Sequence, residues 1–381
     1  MSTALLDYHR RMVTDRVRMD AWQKAIAQAV KPGDVVVDIG AGTGVLSFLA
    51  CAAGARRVYA IEESPIIEVA RELTRQGGFG DRLTFLAESS ADIRLPEPAD
   101  VAVGHVFGAF GLNGDILTTM IDARDRFLRP GGQLLPRGTE LFCAPVEMTE
   151  FYARTIDGWT DGRNSDYRSC RARAVNQMHL CQIPPEAALA APASLGAVDL
   201  LQATGSDWKG RAAFEASRAG RMHGLGGWCE ARLTAEITAS NSPFSVARLD
   251  WSQALFPVEQ AVPVRPGDVV EVSFHLATHG AWMIWNWDVA VNREGPQPQH
   301  FRQSTFKSQL LDVEQVRRQR PDAAPALSPK GEVVKAVLEL CDGSRSSAQV
   351  CEEILHRFPA YFTSSSQASR FVGRAIVSLC K

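Results

Sequence analysis

The chain has 381 residues, of which 45% are hydrophobic, so it is long enough for two or three domains with packed cores. Its 41 basic and 43 acidic residues are dispersed and give a net charge of −2, which disfavours a nucleic acid partner. The eight cysteines form no Cys-x-x-Cys pair, and no apolar run reaches the roughly 18 residues of a membrane span, so we expect a cytoplasmic protein without a metal site or a membrane anchor.

Residues 1–30 carry apolar side chains at helical spacing and predict a helix that ends before a Pro-Gly turn. An apolar strand then runs into the glycine-rich segment Asp38-Ile-Gly-Ala-Gly-Thr-Gly44. Gly40 and Gly42, together with Gly44, remove Cβ atoms where a strand turns sharply into a helix. Backbone N–H groups can therefore approach a nucleotide-like ligand.

The spacing of these glycines distinguishes between cofactors. Dinucleotide-binding proteins have G-x-G-x-x-G, whereas here a single residue separates the second glycine from the third, and Asp38 precedes the turn. We predict S-adenosylmethionine, whose ammonium group suits a neighbouring carboxylate. Glu62 ends the next apolar strand, about twenty residues further on, where a carboxylate can accept hydrogen bonds from ribose hydroxyls.

Strands predicted at 99–105 and around 128–136 complete a doubly wound α/β pattern, the layout of a Rossmann-like class I methyltransferase domain over residues 1–136. Apparently antiparallel strands then predict a β-barrel-like domain over residues 137–312. Within it, the Pro- and Ala-rich segment 184–196 is expected to be a surface excursion. A charged and then Pro/Ala-rich linker follows at 313–326, and residues 327–381 predict a small helical C-terminal module.

These motifs resemble the class I protein arginine methyltransferases over about residues 5–291. The opening helix matches the family pattern at His9, Met12, Asp15 and Arg18. The resemblance implies that Arg18 holds the methionine carboxylate of S-adenosylmethionine, that Met12 packs near the sulfonium and that Glu62 binds the ribose. It also implies that residues 158–182 are the dimerisation arm of a homodimer. Two serines lie where the adenine-binding turn should fall, Ser89 and Ser90.

The chain departs from this family where the methyl acceptor binds. Arginine methyltransferases hold the substrate guanidinium between two glutamates, which here align with His105 and Gly114. Asp115 is one residue away and can supply a single carboxylate. In the later loop Arg248-Leu-Asp-Trp251, which resembles the family's Thr-His-Trp loop, Asp250 replaces the histidine.

We therefore assign the catalytic role to His105, with Asp15, Asp250 and Asp115 around it. An ordinary histidine pKa of about 6.5 makes His105 a usable base near neutral pH. Asp15 and Asp250 are expected to orient its imidazole and to hold a positively charged acceptor. The alternative is that His105 is only a residue of the pocket wall.

The C-terminal module resembles the helical part of PqqD-like domains, which bind the leader segment of a ribosomally made precursor peptide. The strands that precede those helices in that family are not evident here. The alternative is a helical cap that only packs on the preceding domain.

The main functional hypothesis is a methyltransferase that modifies a non-guanidine nitrogen or oxygen on a peptide, as in the processing of a ribosomally made precursor. A second hypothesis is an arginine N-methyltransferase with an altered acceptor site. A third, from another class, is a non-catalytic peptide-binding scaffold.

Overall fold

The computed structural model describes residues 3–113, 115–160, 166–279, 282–292, 299–318 and 320–380. The chain divides into two units, Met1–Gln309 and Leu310–Lys381. Both the α/β part and the antiparallel β part of the prediction lie in the first unit. Among the residues described, no helix combines the length and apolarity needed to cross a membrane.

The N-terminal segment forms two helices, α1 (Thr3–Thr14) and α2 (Arg16–Ala29), where the sequence predicted one. The break falls at Asp15, whose extended backbone cannot continue α1 and whose carboxylate accepts the N–H of Arg18. This is an N-cap, which satisfies a backbone donor that the first turn of α2 leaves without a partner.

A five-stranded parallel sheet follows, formed by β1 (Val35–Ile39), β2 (Arg57–Ile61), β3 (Leu83–Leu86), β4 (Ala99–Gly104) and β5 (Leu128–Leu135). The strands lie in the order β3-β2-β1-β4-β5. The central strand is buried at every position, as a strand covered on both faces must be. The chain reverses its direction across the sheet between β1 and β4, so a crevice opens at their carboxyl ends. The helices between its strands are α3 (Val45–Ala52), α4 (Ile67–Gly77) and α5 (Ile116–Arg126).

Two antiparallel sheets make up the rest of the first unit. The first contains β6 (Gly138–Val146), β7 (His179–Cys181), β8 (Ala193–Asp199), β10 (Gly220–Arg232), β11 (Thr238–Ser240) and β12 (Gln253–Val264), and two helices lie between β6 and β7, α6 (Thr149–Thr155) and α7 (Arg168–Ala174). The second contains β9 (Trp208–Glu215), β13 (Val269–His279), β14 (Trp282–Asn292) and β15 (Gln299–Ser304). The predicted combination of an α/β and an antiparallel β part is confirmed.

The segment 184–196 is not the surface excursion that was expected. It contains a short 3-10 turn and leads into β8, and Leu189 within it is fully buried. Composition misleads here because alanine and proline are compatible with a packed connection as well as with an exposed one. In the predicted dimerisation arm, residues 161–165 lie outside the described part of the chain, while α7 and β7 account for half of the remainder.

The second unit contains α8 (Val313–Arg318), α9 (Pro329–Leu340), α10 (Ser347–Arg357) and α11 (Ser365–Leu379). A serine side chain caps each of the last three helices by accepting an N–H three residues on. Their apolar faces form a separate core around Val337, Ile354 and Val372. The small helical module of the prediction is compatible with this arrangement, although α8 lies within the stretch expected to be a linker.

Candidate active site

The glycine turn lies at the carboxyl end of β1, beside the crevice. Gly40, Gly42 and Gly44 have φ values of 69°, 57° and 82°, which side chains disfavour. A Cβ atom on Gly42 would lie 2.6 Å from Cε1 of His9 on α1. Glycine at these positions therefore allows the left-handed backbone of the turn and, at Gly42, the close packing of His9 against it.

Glu62, in the loop after β2, is fixed against this turn. One carboxylate oxygen accepts the N–H of Gly42 at 3.0 Å, and the other accepts the N–H of Ser64 at 2.8 Å. The carboxylate thus stands at the edge of the turn, where the sequence predicted the ribose-binding residue.

The predicted cofactor residues Met12 and Arg18 meet the glycine turn in one cavity. Its walls are formed by His9, Met12, Val13, Arg18, Met19, Trp22, Gly40, Ala41, Gly42, Thr43, Val45, Leu46 and His105. The cavity measures about 50 Å³, whereas sites for small molecules occupy roughly 300–1,000 Å³. The side chains of α1 must therefore move away from the turn when a nucleoside-sized molecule enters.

Arg18 provides a buried cation at this cavity. Its Nε lies 3.3 Å from an oxygen of Asp15, at ion-pair distance but without the alignment of a hydrogen bond, so Nε has no hydrogen-bond partner among the described residues. Burial lowers the pKa of Arg18, and the charge of Asp15 opposes that effect. An anionic ligand group in the cavity would find a guanidinium that is already desolvated.

Asp38 is completely buried at the end of β1 and accepts a 2.6 Å hydrogen bond from the hydroxyl of Ser47. Its other oxygen has no partner in the described structure. Burial raises the pKa of Asp38 to about 7. A buried acceptor without a partner beside the turn fits a cationic group such as an ammonium.

Ser89 and Ser90 lie in the loop after β3 and do not line this cavity. The hydroxyl of Ser89 caps a short 3-10 turn by accepting the N–H of Ala91, and the carbonyl of Ser90 accepts a bond from Arg126. Their assignment to adenine binding stays a prediction.

His105 follows β4 and stands among aromatic rings. Its ring centroid lies 4.6 Å from Phe107, 5.6 Å from Trp251 and 5.9 Å from Trp22. Its Nε2 is buried and has no hydrogen-bond partner among the described residues. Burial, and secondly the charge of Arg18, lowers the pKa of His105 to about 3. The expected pKa near 6.5 is therefore wrong for this environment, and the imidazole is neutral at physiological pH.

The loop that carries His105 is anchored in the antiparallel part of the unit. Phe110 is fully buried against Phe256 and Trp285, with ring centroids 4.9 and 5.2 Å away. Asn241 donates a 2.8 Å hydrogen bond to the carbonyl of Ala109. Side chains of the β sheets thus hold the loop that borders the crevice of the parallel sheet.

The three carboxylates predicted around His105 do not gather there. Asp15 accepts the N–H groups of Arg18 and Asp250, at 3.2 and 3.0 Å, which links α2 to the loop before β12. The side chain of Asp250 is exposed and lies 3.9 Å from Arg11. Asp115 is exposed at the start of α5, with a φ of 55°, and Gly114 lies outside the described residues. No described contact joins any of these carboxylates to the imidazole: Asp15 is engaged by Arg18 and by backbone N–H groups, and Asp250 faces Arg11.

Sequence reasoning did not assign a site role to Trp22, Phe107 or Ser47. Trp22 lies four residues after Arg18 on α2, and Phe107 two residues after His105, so spacing from predicted site residues could have identified both. Ser47 could have been found as a polar residue in the first turn of an otherwise apolar helix. Among the residues described, no group of three or more metal-ligating side chains occurs.

Comparison with known sequences gives two family profiles. The profile of the arginine methyltransferase oligomerization subdomain matches residues 137–290. That of ribosomal protein L11 methyltransferase (PrmA) matches residues 22–138. Together the two matches follow the division between the parallel sheet and the antiparallel sheets.

Individual relatives are similar to the chain in sequence. Protein arginine N-methyltransferase 6 of Danio rerio is 30% identical over 324 residues, covering 80% of this chain and 91% of its own. The probable protein arginine N-methyltransferase 6 of Arabidopsis thaliana is 38% identical over 160 residues, 42% of this chain and 37% of the relative. The chain thus matches well under half the length of this plant relative, and the same holds for two rice relatives.

Solved structures show the same fold. A Trypanosoma brucei PRMT1 enzyme–prozyme heterotetrameric complex with AdoHcy contains a chain that superimposes with a TM-score of 0.71 at 21% identity, covering 78% of this chain and 96% of that one. Arabidopsis thaliana protein arginine methyltransferase 10 superimposes with a TM-score of 0.67 at 22% identity, covering 78% and 97%.

Proposed function

The chain belongs to the protein arginine methyltransferase family, and from that membership we propose that it transfers a methyl group from S-adenosylmethionine to an arginine side chain of a peptide or protein. The observation that carries the proposal is the shared cavity. Arg18, the glycine turn and His105 border the same space, so groups suited to the methyl donor and a group suited to the acceptor are within reach of one another.

The expectation of a non-guanidine acceptor on a ribosomally made precursor peptide is wrong. The curated relatives of this chain are named as arginine N-methyltransferases, including one whose alignment covers most of both chains. The absence of the two glutamates argued for another acceptor, but it is better interpreted as a change within the guanidinium site.

The donor half of the site fits S-adenosylmethionine by the chemistry of its residues. Arg18 would hold the carboxylate, the unpartnered oxygen of Asp38 suits the ammonium, and Glu62 would receive the ribose hydroxyls. The bound cofactor supplies a methyl group that is already activated on a sulfonium, so the protein has mainly to align donor and acceptor.

His105 replaces the first family glutamate with a neutral acceptor. Its Nε2 can accept a hydrogen bond from a guanidinium N–H and so orient the attacking nitrogen, but with a pKa of about 3 it does not hold the proton which that nitrogen loses, so this proton passes on to solvent. The π face of Trp251 compensates in part for the lost carboxylate, since aromatic faces attract cations. Arg18 already places its guanidinium carbon 5.1 Å from the centroid of that ring, so the ring makes contacts of this kind, and a substrate guanidinium would use a part of the ring that Arg18 leaves free.

The test is incubation of the purified protein with methyl-labelled cofactor and matched peptides that contain arginine, lysine or histidine at one position, followed by mass-spectrometric localisation. We expect label on a guanidine nitrogen. His105→Ala should lower kcat/KM about 10- to 100-fold, as expected for the loss of a buried hydrogen bond to a charged group, and should change cofactor affinity much less.

His300→Ala, at an exposed position of β15, is the matched control. Label on another residue type, or full activity of His105→Ala, would contradict the proposal. Cofactor binding without transfer to any peptide would favour the peptide-binding scaffold.

We also propose a homodimer, supported by the oligomerization subdomain profile over residues 137–290. Trp159 and Tyr167, in the predicted arm, are exposed and have ring centroids 6.2 Å apart. Light scattering should give a dimer mass for the natural chain and a monomer mass for Trp159→Ala/Tyr167→Ala. The PqqD-like identity of residues 327–381 and the cytoplasmic location stay predictions.

A further inference from the structure

An open cleft of about 790 Å³ lies on the first unit, next to the acceptor residues. Three segments form its walls: the junction of α1 and α2, the connection after β7 and the loop before β12. Arg16, Val17, Pro184, Glu186, Arg248 and Asp250 are among the residues that line it.

Two residues of the cleft lining neighbour residues of the acceptor and cofactor positions. Asp250 lines the cleft, and the next residue, Trp251, contacts the ring of His105. Asp15, which accepts the N–H of Asp250, also lines the cleft and is three residues before Arg18 in the cavity. A peptide whose arginine reaches His105 can therefore place its neighbouring residues in this cleft.

The two arginines that line the cleft lack described partners, whereas two of its three carboxylates have them. Arg16 and Arg248 are exposed, and neither has an ion-pair or hydrogen-bond partner among the described residues. Two of the carboxylates there are engaged: Asp15 is buried against Arg18, and Asp250 faces Arg11. Glu186 is the remaining exposed carboxylate of the lining.

Apolar surface lies beside these guanidinium groups. Val17, Pro184 and Pro185 line the same space, and the two prolines have no N–H that a bound peptide would have to satisfy. An extended segment can therefore lie on this surface while its charged side chain turns toward an arginine.

We propose that this cleft binds the segment next to the target arginine and selects an acidic side chain in it through Arg16 and Arg248. The proposal rests on the arginine methyltransferase function and adds the substrate class. A guanidinium pairs with a carboxylate or a phosphate through two parallel hydrogen bonds, and such pairing orients a substrate as well as attracting it.

The test uses the full chain and a set of arginine peptides in which one neighbouring position is aspartate, phosphoserine, asparagine or lysine, scanned on both sides of the arginine. Binding is measured by fluorescence anisotropy in the presence of S-adenosylhomocysteine, and methyl transfer by label incorporation. We expect the acidic peptides to bind about 3- to 10-fold tighter than the asparagine peptide, as for a partly exposed ion pair, and the preference to weaken at high salt.

Charge-reversal variants test whether Arg16 and Arg248 cause the preference for acidic peptides. Arg16→Glu and Arg248→Glu should abolish the acidic preference, and the double variant should favour the lysine peptide. Arg94→Glu, at an exposed position outside the cleft, should retain the preference of the natural chain.

The two readouts separate this inference from the proposed function. Methyl transfer to arginine without any acidic preference would overturn the inference and leave the function intact. An acidic preference in binding that the cleft variants abolish, with no methyl transfer, would support the cleft and overturn the function. Equal effects of Arg94→Glu and Arg248→Glu would also overturn the inference, because they would reflect net charge alone.

Discussion

Asp15 and Arg18 form a buried ion pair within the first turn of α2, with side chains only 3% and 4% exposed. Asp15 also accepts the backbone N–H of Asp250, 235 positions further along the chain. One carboxylate therefore caps a helix, compensates the cation of the predicted cofactor site and attaches the loop that carries Trp251.

Asp15→Ala should destabilise the first unit by about 3 kcal/mol, because it leaves a buried guanidinium without compensation and removes a helix cap. Urea unfolding followed by circular dichroism measures the loss. Asp7→Ala is the matched control, since Asp7 pairs with Arg10 at an exposed position, where such pairs contribute about 0–1 kcal/mol. Equal effects of the two substitutions would contradict the buried role of Asp15.

Gly42→Ala should weaken cofactor binding about tenfold, because the added Cβ lies where the ring of His9 now stands. Isothermal titration with S-adenosylhomocysteine measures the affinity. Gly78→Ala is the control, since Gly78 also has a positive φ, of 75°, but its Cβ would meet no atom within 4 Å.

Both glycine variants should lose about 1–2 kcal/mol of stability from the left-handed backbone. The double variant His9→Ala/Gly42→Ala should remove the steric contribution. If the double variant has the same free energy of unfolding as Gly42→Ala alone, the contact with His9 does not contribute to the loss of stability.

Asp38 should make stability depend on pH. Its pKa rises from 3.8 to about 7 in the folded chain, so between these values the folded protein keeps a proton that the unfolded chain releases. The free energy of unfolding should therefore fall as pH rises from about 4 to about 7, by up to about 4 kcal/mol, and level off above.

Asp38→Asn should remove this contribution. Urea unfolding at about pH 5 and about pH 8 should show a variant that is more stable than the natural chain, by a larger margin at the higher pH. If the stability difference between Asp38→Asn and the natural chain is the same at both pH values, Asp38 is not protonated in the folded protein at the lower pH.

Ile354→Ala should destabilise the second unit by about 2–5 kcal/mol, because Ile354 is fully buried in the core formed by α9, α10 and α11. Val377→Ala on α11 is the control, since Val377 is 86% exposed. Native-state hydrogen exchange of the amides in these three helices measures the effect. Unchanged protection in Ile354→Ala would contradict a core at this position.

Much of the helical module was predictable, but not the orientation of its first helix. Hydrophobic spacing predicts helices where α9, α10 and α11 lie, yet by spacing alone Val334 and Leu338 could equally belong to the buried face of α9. The structure buries Val333, Ala336, Val337 and Leu340 instead and leaves Leu338 40% exposed. A short helix rich in valine and leucine has two apolar faces, and packing against its neighbours selects one.

The sequence by itself determined the glycine turn and the carboxylate that form the proposed methyl-donor half of the site. A strand, a glycine turn and a following carboxylate depend on neighbouring residues and on the left-handed backbone that glycine allows, so Gly40, Gly42, Gly44 and Glu62 could be identified locally. Only the tertiary structure decided the acceptor half. The pKa of His105 and the partners of Asp15 depend on burial by Trp22 and Trp251 and on a loop more than two hundred residues away, and neither desolvation nor such distant contacts can be inferred from local spacing.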